Sequence, residues 1–292
     1  MVVSLFSLTL VFIPFLGKEI NNAKSWIGND LFTIQPSEFA KLGLIIYLSG
    51  LITKKKGKMK SFKQGLLPAV IITLIFFVLI LLQPDLGTGL ILVVTAGVII
   101  VVGGASLKHI FYLLLGGILL VPFLLLSQDY RISRFTAVLD PWSDPYNSGY
   151  QLIQSLIALG NGGIFGTGFG KGIQKFFYLP YPHSDFIFAV IGEEFGFIKV
   201  TLFLLLYLLL VWKILIIGLK SKETFGTLVG VGLATLFGFQ AFVNIGGVVG
   251  LIPITGVPLP FISTGGSSLI MSMTAIGIIL SLSRENNKST QV

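Results

Sequence analysis

Eight long apolar stretches dominate the chain, at about residues 2–16, 36–53, 65–82, 88–104, 108–126, 186–214, 224–246 and 264–283. Most reach the roughly 17 to 25 residues that a helix needs to cross a hydrocarbon core. With 54% hydrophobic and 11% charged residues and a mean hydropathy of +0.93, the chain has too little polar surface for water to be its only solvent. A backbone in lipid must satisfy its own hydrogen bonds, so the sequence predicts an all-α polytopic membrane protein of about eight transmembrane helices. Residues 1–283 read as a single transmembrane domain that includes a large extracytoplasmic loop, 127–185, and residues 284–292 as a short cytoplasmic tail. The N-terminal run lacks a basic flank and a small-residue cleavage site, so it reads as a retained span.

Basic residues set the orientation, because Lys and Arg near helix ends are retained in the cytoplasm. Lys54, Lys55, Lys56, Lys58, Lys60 and Lys63 lie between the second and third spans, and that loop is assigned inside. Alternation then places Lys108, Lys213, Lys220, Lys222, Arg284 and Lys288 inside too, against Lys18, Lys24, Arg131, Arg134, Lys171 and Lys175 outside, with both termini cytoplasmic. Carboxylates show the opposite bias: Glu19, Asp30, Asp85, Asp129, Asp140, Asp144 and Asp185 fall in outer segments, and only Glu223 and Glu285 inside. The net charge of +8 is the ordinary topology signal and calls for no nucleic acid. Without cysteine the chain has no disulfide or thiolate chemistry.

The outer loop is too long and too aromatic for a passive linker. Residues 149–159 carry apolar side chains at helical spacing beside Gln151, Gln154 and Ser155, which predicts a short interfacial helix. The run NGGIFGTGFGKG, 161–172, offers unshielded amides that suit phosphate oxygens, although glycines equally mark turns and close packing. Arg131 and Arg134 are placed either to meet a lipid phosphate or merely to snorkel to the headgroups.

Asp185 stands where the loop enters the sixth span, and its position suits a helix cap as well as a functional carboxylate. Glu193 and Glu194 follow inside an apolar helix, where charge implies a cavity or a partner. Glu38 and Lys41 form an i, i+3 pair, either structural or part of a cleft wall. Lys199 falls about 21 Å along a continuous helix from Asp185 and has no evident role there. QPDLGT, 83–88, and GLIPITGVPLPFISTGGSS, 250–268, are rich in helix breakers, which survive at this depth only against protein or a wet cavity. The sequence thus predicts one pocket holding Asp185, Asp85, Lys41, Glu38, Asn244 and Ser263.

These segments resemble the SEDS family of cell-wall polymerases, FtsW, RodA and SpoVE, nearly end to end. The resemblance runs through WIG (26–28), QPSEFAKL (35–42), QPDLGT (83–88), SRFTAVLDPW (133–142), GYQLIQSLIALGNGG (149–163), SDFIFAVIGEEFG (184–196) and the 250–268 segment. It is nearer to the FtsW and SpoVE branch. The family typically has ten helices, and this chain begins at what looks like the third. The resemblance implies an inverting peptidoglycan glycosyltransferase that polymerises lipid II at the outer face of the bacterial cytoplasmic membrane, in division, shape maintenance or sporulation. It implies a class B penicillin-binding protein and other divisome or sporulation membrane proteins as partners. It also implies Mg²⁺ or Mn²⁺ dependence, although no metal motif is visible. By motif position Asp185 becomes the general base. Trp26, Lys41 and Arg134, with Arg131, Glu38, Asp85, Glu193 and Ser263, become candidates for holding substrate and pyrophosphate. Tyr181, Ser184 and Thr264 depart from the family pattern beside the site. A lipid-linked precursor flippase and an inactive divisome scaffold are the alternative functions.

Overall fold

The structure, a computed structural model, describes residues 1–13, 15–20, 23–28, 33–126 and 128–288. Ten α-helices are described: α1 (Val2–Leu10), α2 (Pro36–Lys54), α3 (Leu67–Leu81), α4 (Leu86–Val102), α5 (Leu107–Leu126), α6 (Asp129–Leu139), α7 (Tyr150–Gly162), α8 (Ile187–Leu219), α9 (Thr224–Val248) and α10 (Gly266–Lys288). A helix forms in each of the eight apolar stretches, and α6 and α7 supply the short helices of the long loop. Local chemistry sets the ends. Pro36 occupies the first turn of α2, where its missing N–H is harmless. The Asp85 carboxylate caps α4 by accepting from Thr88 N at 3.0 Å. Between α6 and α7, the Ser148 amide and the Asn147 side chain hold the Asp144 carboxyl below its ordinary pKa. Four described helical segments are long and apolar enough to span, Phe62–Leu81, α8, α9 and Gly266–Asn287, and with the shorter apolar helices they make this a multi-pass membrane protein.

The first stretch departs from the expectation of a full span. It is helical for only nine residues, and then the chain turns so tightly that a Cβ on Gly17 would overlap the Val11 carbonyl. Beyond it lies a small antiparallel sheet absent from an all-α reading: β1 (Gly17–Ile20), β2 (Ala23–Gly28) and β3 (Thr33–Ile34), ordered β1-β2-β3. Strands this short hold too few alternations to stand out beside an apolar run. Asp30 lies outside the described residues, as do 289–292 of the expected tail, while α10 carries helix through Lys288.

The chain forms two compact units. The first comprises Met1–Tyr112, Val211–Phe239 and Gly266–Val292. Its core is α2 packed on α4, with Ile45, Leu48, Ile91, Leu92 and Ile99 all buried. Gly232 on α9 admits this contact, since a Cβ there would come 2.7 Å from Ile99 and 2.8 Å from Ile45. Gly218 on α8 and Gly230 on α9 touch backbone to backbone, the small-residue crossing favoured where lipid offers no hydrophobic drive. Gln35 N donates to Ser267 Oγ at 3.0 Å and fixes the start of α2 on α10.

The second unit comprises Leu113–Leu210 and Gln240–Gly265. Ser155 Oγ on α7 donates to Val248 O at the end of α9 at 2.7 Å, and Gln240 Nε2 donates to Pro258 O at 2.9 Å. At 33 residues α8 is about 50 Å long, well beyond the roughly 30 Å hydrocarbon core. It is broken at Gly196, where φ is 74° and ψ 177°. Residues 197–219 alone, at about 34 Å, suffice to span.

Candidate active site at the start of a broken helix

Asp185 precedes the first turn of α8, and its backbone is pinned residue by residue. Thr264 N and Oγ1 donate to His183 O at 2.9 and 3.0 Å. Ser263 Oγ donates to Ser184 O at 2.6 Å while accepting from Leu259 N at 2.8 Å. Asn244 Nδ2 donates to Asp185 O at 3.0 Å and to Val257 O at 2.8 Å. Three consecutive carbonyls are thus held by side chains from α9 and the 250–265 loop, which fixes the Asp185 Cα rather than its carboxylate. Gly256, at φ +73°, passes so close that a Cβ there would lie 3.6 Å from Asp185 Oδ2. Glycine at 256 thus keeps a side chain from crowding Asp185 Oδ2. A cavity of about 10 Å³, lined by Asp185, Asn244, Gly247, Ile254, Thr255 and Gly256 among others, has room for roughly one water. Asn244 Oδ1 is buried with no partner among the described residues, an acceptor on the cavity wall.

Arg134 braces the same loop. Its Nη1 donates to Ile254 O at 2.9 Å, and its guanidinium lies 5.7 Å from the Tyr130 ring centroid. Arg131 is only 7% exposed, with Nε donating to Tyr130 Oη at 3.0 Å. The Arg131 guanidinium also lies against the Tyr130 ring, 5.5 Å from its centroid.

The Gly-rich run does not form an open phosphate cradle. Thr167 N and Gly168 N donate to Glu193 O and Glu194 O at 2.9 and 3.0 Å, while Phe197 N and Ile198 N donate to Gly163 O and Ile164 O at 2.9 and 3.2 Å. Residues 163–168 thus take over the backbone partners lost at the break in α8. The glutamate side chains complete the clamp. Glu193 accepts from Ile173 N and Gln174 N at 3.1 Å each, and Glu194 accepts from Gly170 N at 2.9 Å and pairs with Lys175 at 2.6 Å. Glu193, expected at a pyrophosphate, is fully buried and engaged with amides. The break also accounts for Lys199, which lies in the first turn of the second piece, exposed, with Nζ 5.7 Å from the Phe195 ring centroid.

In the first unit Lys41 Nζ meets Glu38 Oε1 at 2.7 Å with both side chains almost fully buried, and Asp85 lies within electrostatic range of both. Glu38 Oε2 has no partner among the described residues. Trp26, half-buried, lies opposite Lys18 in the β1–β2 register. Of the residues expected around one pocket, Asp185, Asn244 and Ser263 belong to the second unit and Glu38, Lys41 and Asp85 to the first. Removing one member of a buried pair strands the other charge, so Lys41→Met is expected to destabilise the protein by about 3–5 kcal/mol, read as a lowered unfolding midpoint in detergent.

The family model for FtsW, RodA and SpoVE, described as "Cell cycle protein", matches residues 1–288. The chain belongs to the FtsW/RodA/SpoVE family. It is 48% identical to Stage V sporulation protein E of Bacillus subtilis (strain 168) over 284 residues, covering 97% of this chain and 78% of that one. Identity to the probable peptidoglycan glycosyltransferase FtsW of Geobacter sp. (strain M18) is 42% over 278 residues, 95% of this chain and 76% of that one. Among solved structures, a chain from "Structural coordination of polymerization and crosslinking by a peptidoglycan synthase complex" superposes with a TM-score of 0.81 at 32% identity, covering 97% of this chain and 79% of that one. The Thermus thermophilus rod shape determining protein RodA superposes with a TM-score of 0.68 at 30% identity, covering 97% and 76%.

For this FtsW/RodA/SpoVE member, the parts of the site hardest to see in sequence are main-chain features. Gly256 and the carbonyls of His183 and Ser184 carry no distinctive side chain, and the one available signal was the Gly256 inside a Pro-rich loop. Among the described residues no three His, Asp or Glu side chains converge.

Proposed function

We propose that this chain is a peptidoglycan glycosyltransferase that polymerises lipid II at the outer face of the cytoplasmic membrane, with Asp185 as general base. The observation that carries the reading is the Asp185 carboxylate on a small cavity at a helix start, its backbone fixed by Asn244, Ser263 and Thr264. A lipid-linked pyrophosphate stays at the membrane surface, so a base acting on its sugar belongs at a helix mouth. Asp185 takes the proton from the 4-hydroxyl of the acceptor sugar as that oxygen attacks the anomeric carbon of the growing chain. The bond to the pyrophosphate breaks as the new glycosidic bond forms, and undecaprenyl pyrophosphate leaves with the electron pair. Attack from the opposite face inverts the anomeric carbon and needs no covalent intermediate. Fixing the Asp185 main chain before substrate arrives narrows the positions its carboxylate can take and so lowers the entropy of reaching the transition state. Arg134, partly exposed and fixed on the loop that lines the cavity, is the cation placed to meet developing charge.

The names of the relatives support this reading: one is a probable peptidoglycan glycosyltransferase and one a sporulation protein. The likeness to a chain of a peptidoglycan synthase complex supports a class B penicillin-binding protein as partner. The test is reconstitution of the full chain with such a partner in vesicles bearing labelled lipid II. Labelled glycan polymer is the expected product. Labelled lipid II moved across the bilayer without polymer would instead assign a flippase, and neither outcome would leave a scaffold.

A further inference from the structure

We propose that the Gly-rich segment 163–178 is a membrane-surface anchor, a rigid tab that sets Phe165, Phe169, Phe176 and Phe177 into the lipid interface with Lys171 and Lys199 at lipid phosphates. The tab is rigid because the break in α8 holds it from both sides, through the Glu193 and Glu194 carbonyls and carboxylates and the amides of Phe197 and Ile198. Its aromatic side chains nevertheless point outward: Phe165 is 75% exposed, Phe169 84%, Phe176 55% and Phe177 fully. A clamped loop that leaves four phenylalanines this exposed has a surface to meet.

Lys199 sets the depth of that surface. It lies in the first turn of the piece of α8 that spans, exposed beside the equally exposed Phe197, Ile198 and Leu202. A charged side chain on such a lipid-facing stretch belongs at headgroup level, because hydrocarbon would not solvate it. Lys199 Nζ stands over the Phe195 ring at 5.7 Å, and Phe169 packs on that same ring with centroids 5.9 Å apart. The tab is therefore fastened at the height of Lys199. Exposed aromatics with lysines are the composition of a membrane interface. The acids nearest the tab, Glu193 and Glu194, are buried, and Lys175 is taken up by Glu194, so the charge presented outward is exposed Lys171 with exposed Lys199 beside it, and an anionic lipid surface is complementary. The bilayer is the occupant rather than a protein, because exposed Ile164 and Phe165 adjoin exposed Phe197 and Ile198 at the start of the spanning piece of α8, where the Phe197 and Ile198 amides donate to Gly163 O and Ile164 O.

The absence of cysteine makes the test direct. Phe165→Cys and Phe177→Cys, each carrying a nitroxide, are placed in the full chain in vesicles of phosphatidylcholine with phosphatidylglycerol. Leu205→Cys gives the lipid standard and free label in buffer the aqueous one. Phe177 makes no buried packing, so its replacement leaves the fold intact, checked by the unfolding midpoint. The expected result is collision with oxygen exceeding collision with a water-soluble nickel chelate several-fold at both positions, between the two standards. Chelate collision equal to that of free label overturns the proposal. Shielding that appears only when a penicillin-binding partner is added also overturns it, and assigns the aromatic patch to a protein.

Discussion

Gly196→Val is expected to leave no folded protein in the membrane. Its φ of 74° with ψ of 177° lies in a region that only glycine occupies readily, and a side chain there costs about 1–3 kcal/mol in backbone strain. The steric effect is larger. A Cβ on Gly196 would overlap the Gly166 amide nitrogen, and one on Gly166 would overlap the Glu194 carbonyl. Either substitution pushes residues 163–168 off the helix break. That strands the Phe197 and Ile198 amides and the Glu193 and Glu194 carbonyls, at about 1–3 kcal/mol for each polar group left buried without a partner. The sum is comparable with the whole stability of a typical protein, about 5–15 kcal/mol. Yield of monodisperse protein after detergent extraction measures the outcome. Gly166→Val is expected to behave the same way. Gly160→Ala, whose Cβ would meet nothing within 4 Å, is expected to extract like the parent chain.

Asp185→Asn is the largest expected effect on activity. Loss of a general base typically lowers rate by about 10²–10⁴-fold. The substitution is nearly isosteric, and the bond from Asn244 goes to the main-chain carbonyl at 185, so the unfolding midpoint is expected to stay close to that of the parent. Glycan polymerisation from labelled lipid II should fall by that factor while binding of lipid II to the vesicle-embedded protein is retained. A matching loss of binding and rate would instead place Asp185 in substrate binding.

Much of the architecture was legible in sequence because lipid imposes a simple rule: long apolar runs become helices. The lysines and glycine-rich turns between those runs marked the interruptions, and QPDLGT and the 250–268 segment each fell at helix ends. A carboxylate at the start of a span suits a helix cap as readily as a site, so Asp185 stood out in sequence only through the family motif around it. The small sheet did not stand out, since strands of four, six and two residues are shorter than the window in which alternation declares itself. The fate of the Gly-rich run was hidden for a different reason. Which amides are free depends on Glu193 and Glu194, far along the chain, and the clamp exists only because α8 breaks. Treating α8 as continuous is what left Lys199 stranded deep in the bilayer. The sequence did carry a clue in Gly196 directly after Phe195 and the two glutamates, since a glycine following buried charge is a natural breaking point.

Single-turnover reaction of the reconstituted chain with labelled lipid II, quenched in denaturant and divided into protein and glycan, tests the role of Asp185 most directly. The expected product is glycan cleaved by a muramidase specific for β-linked chains, with no label covalently attached to the protein at any time point. Label carried on a peptide containing Asp185 would contradict the general-base role, making that carboxylate a nucleophile, and so would polymer formed by Asp185→Asn at the parent rate.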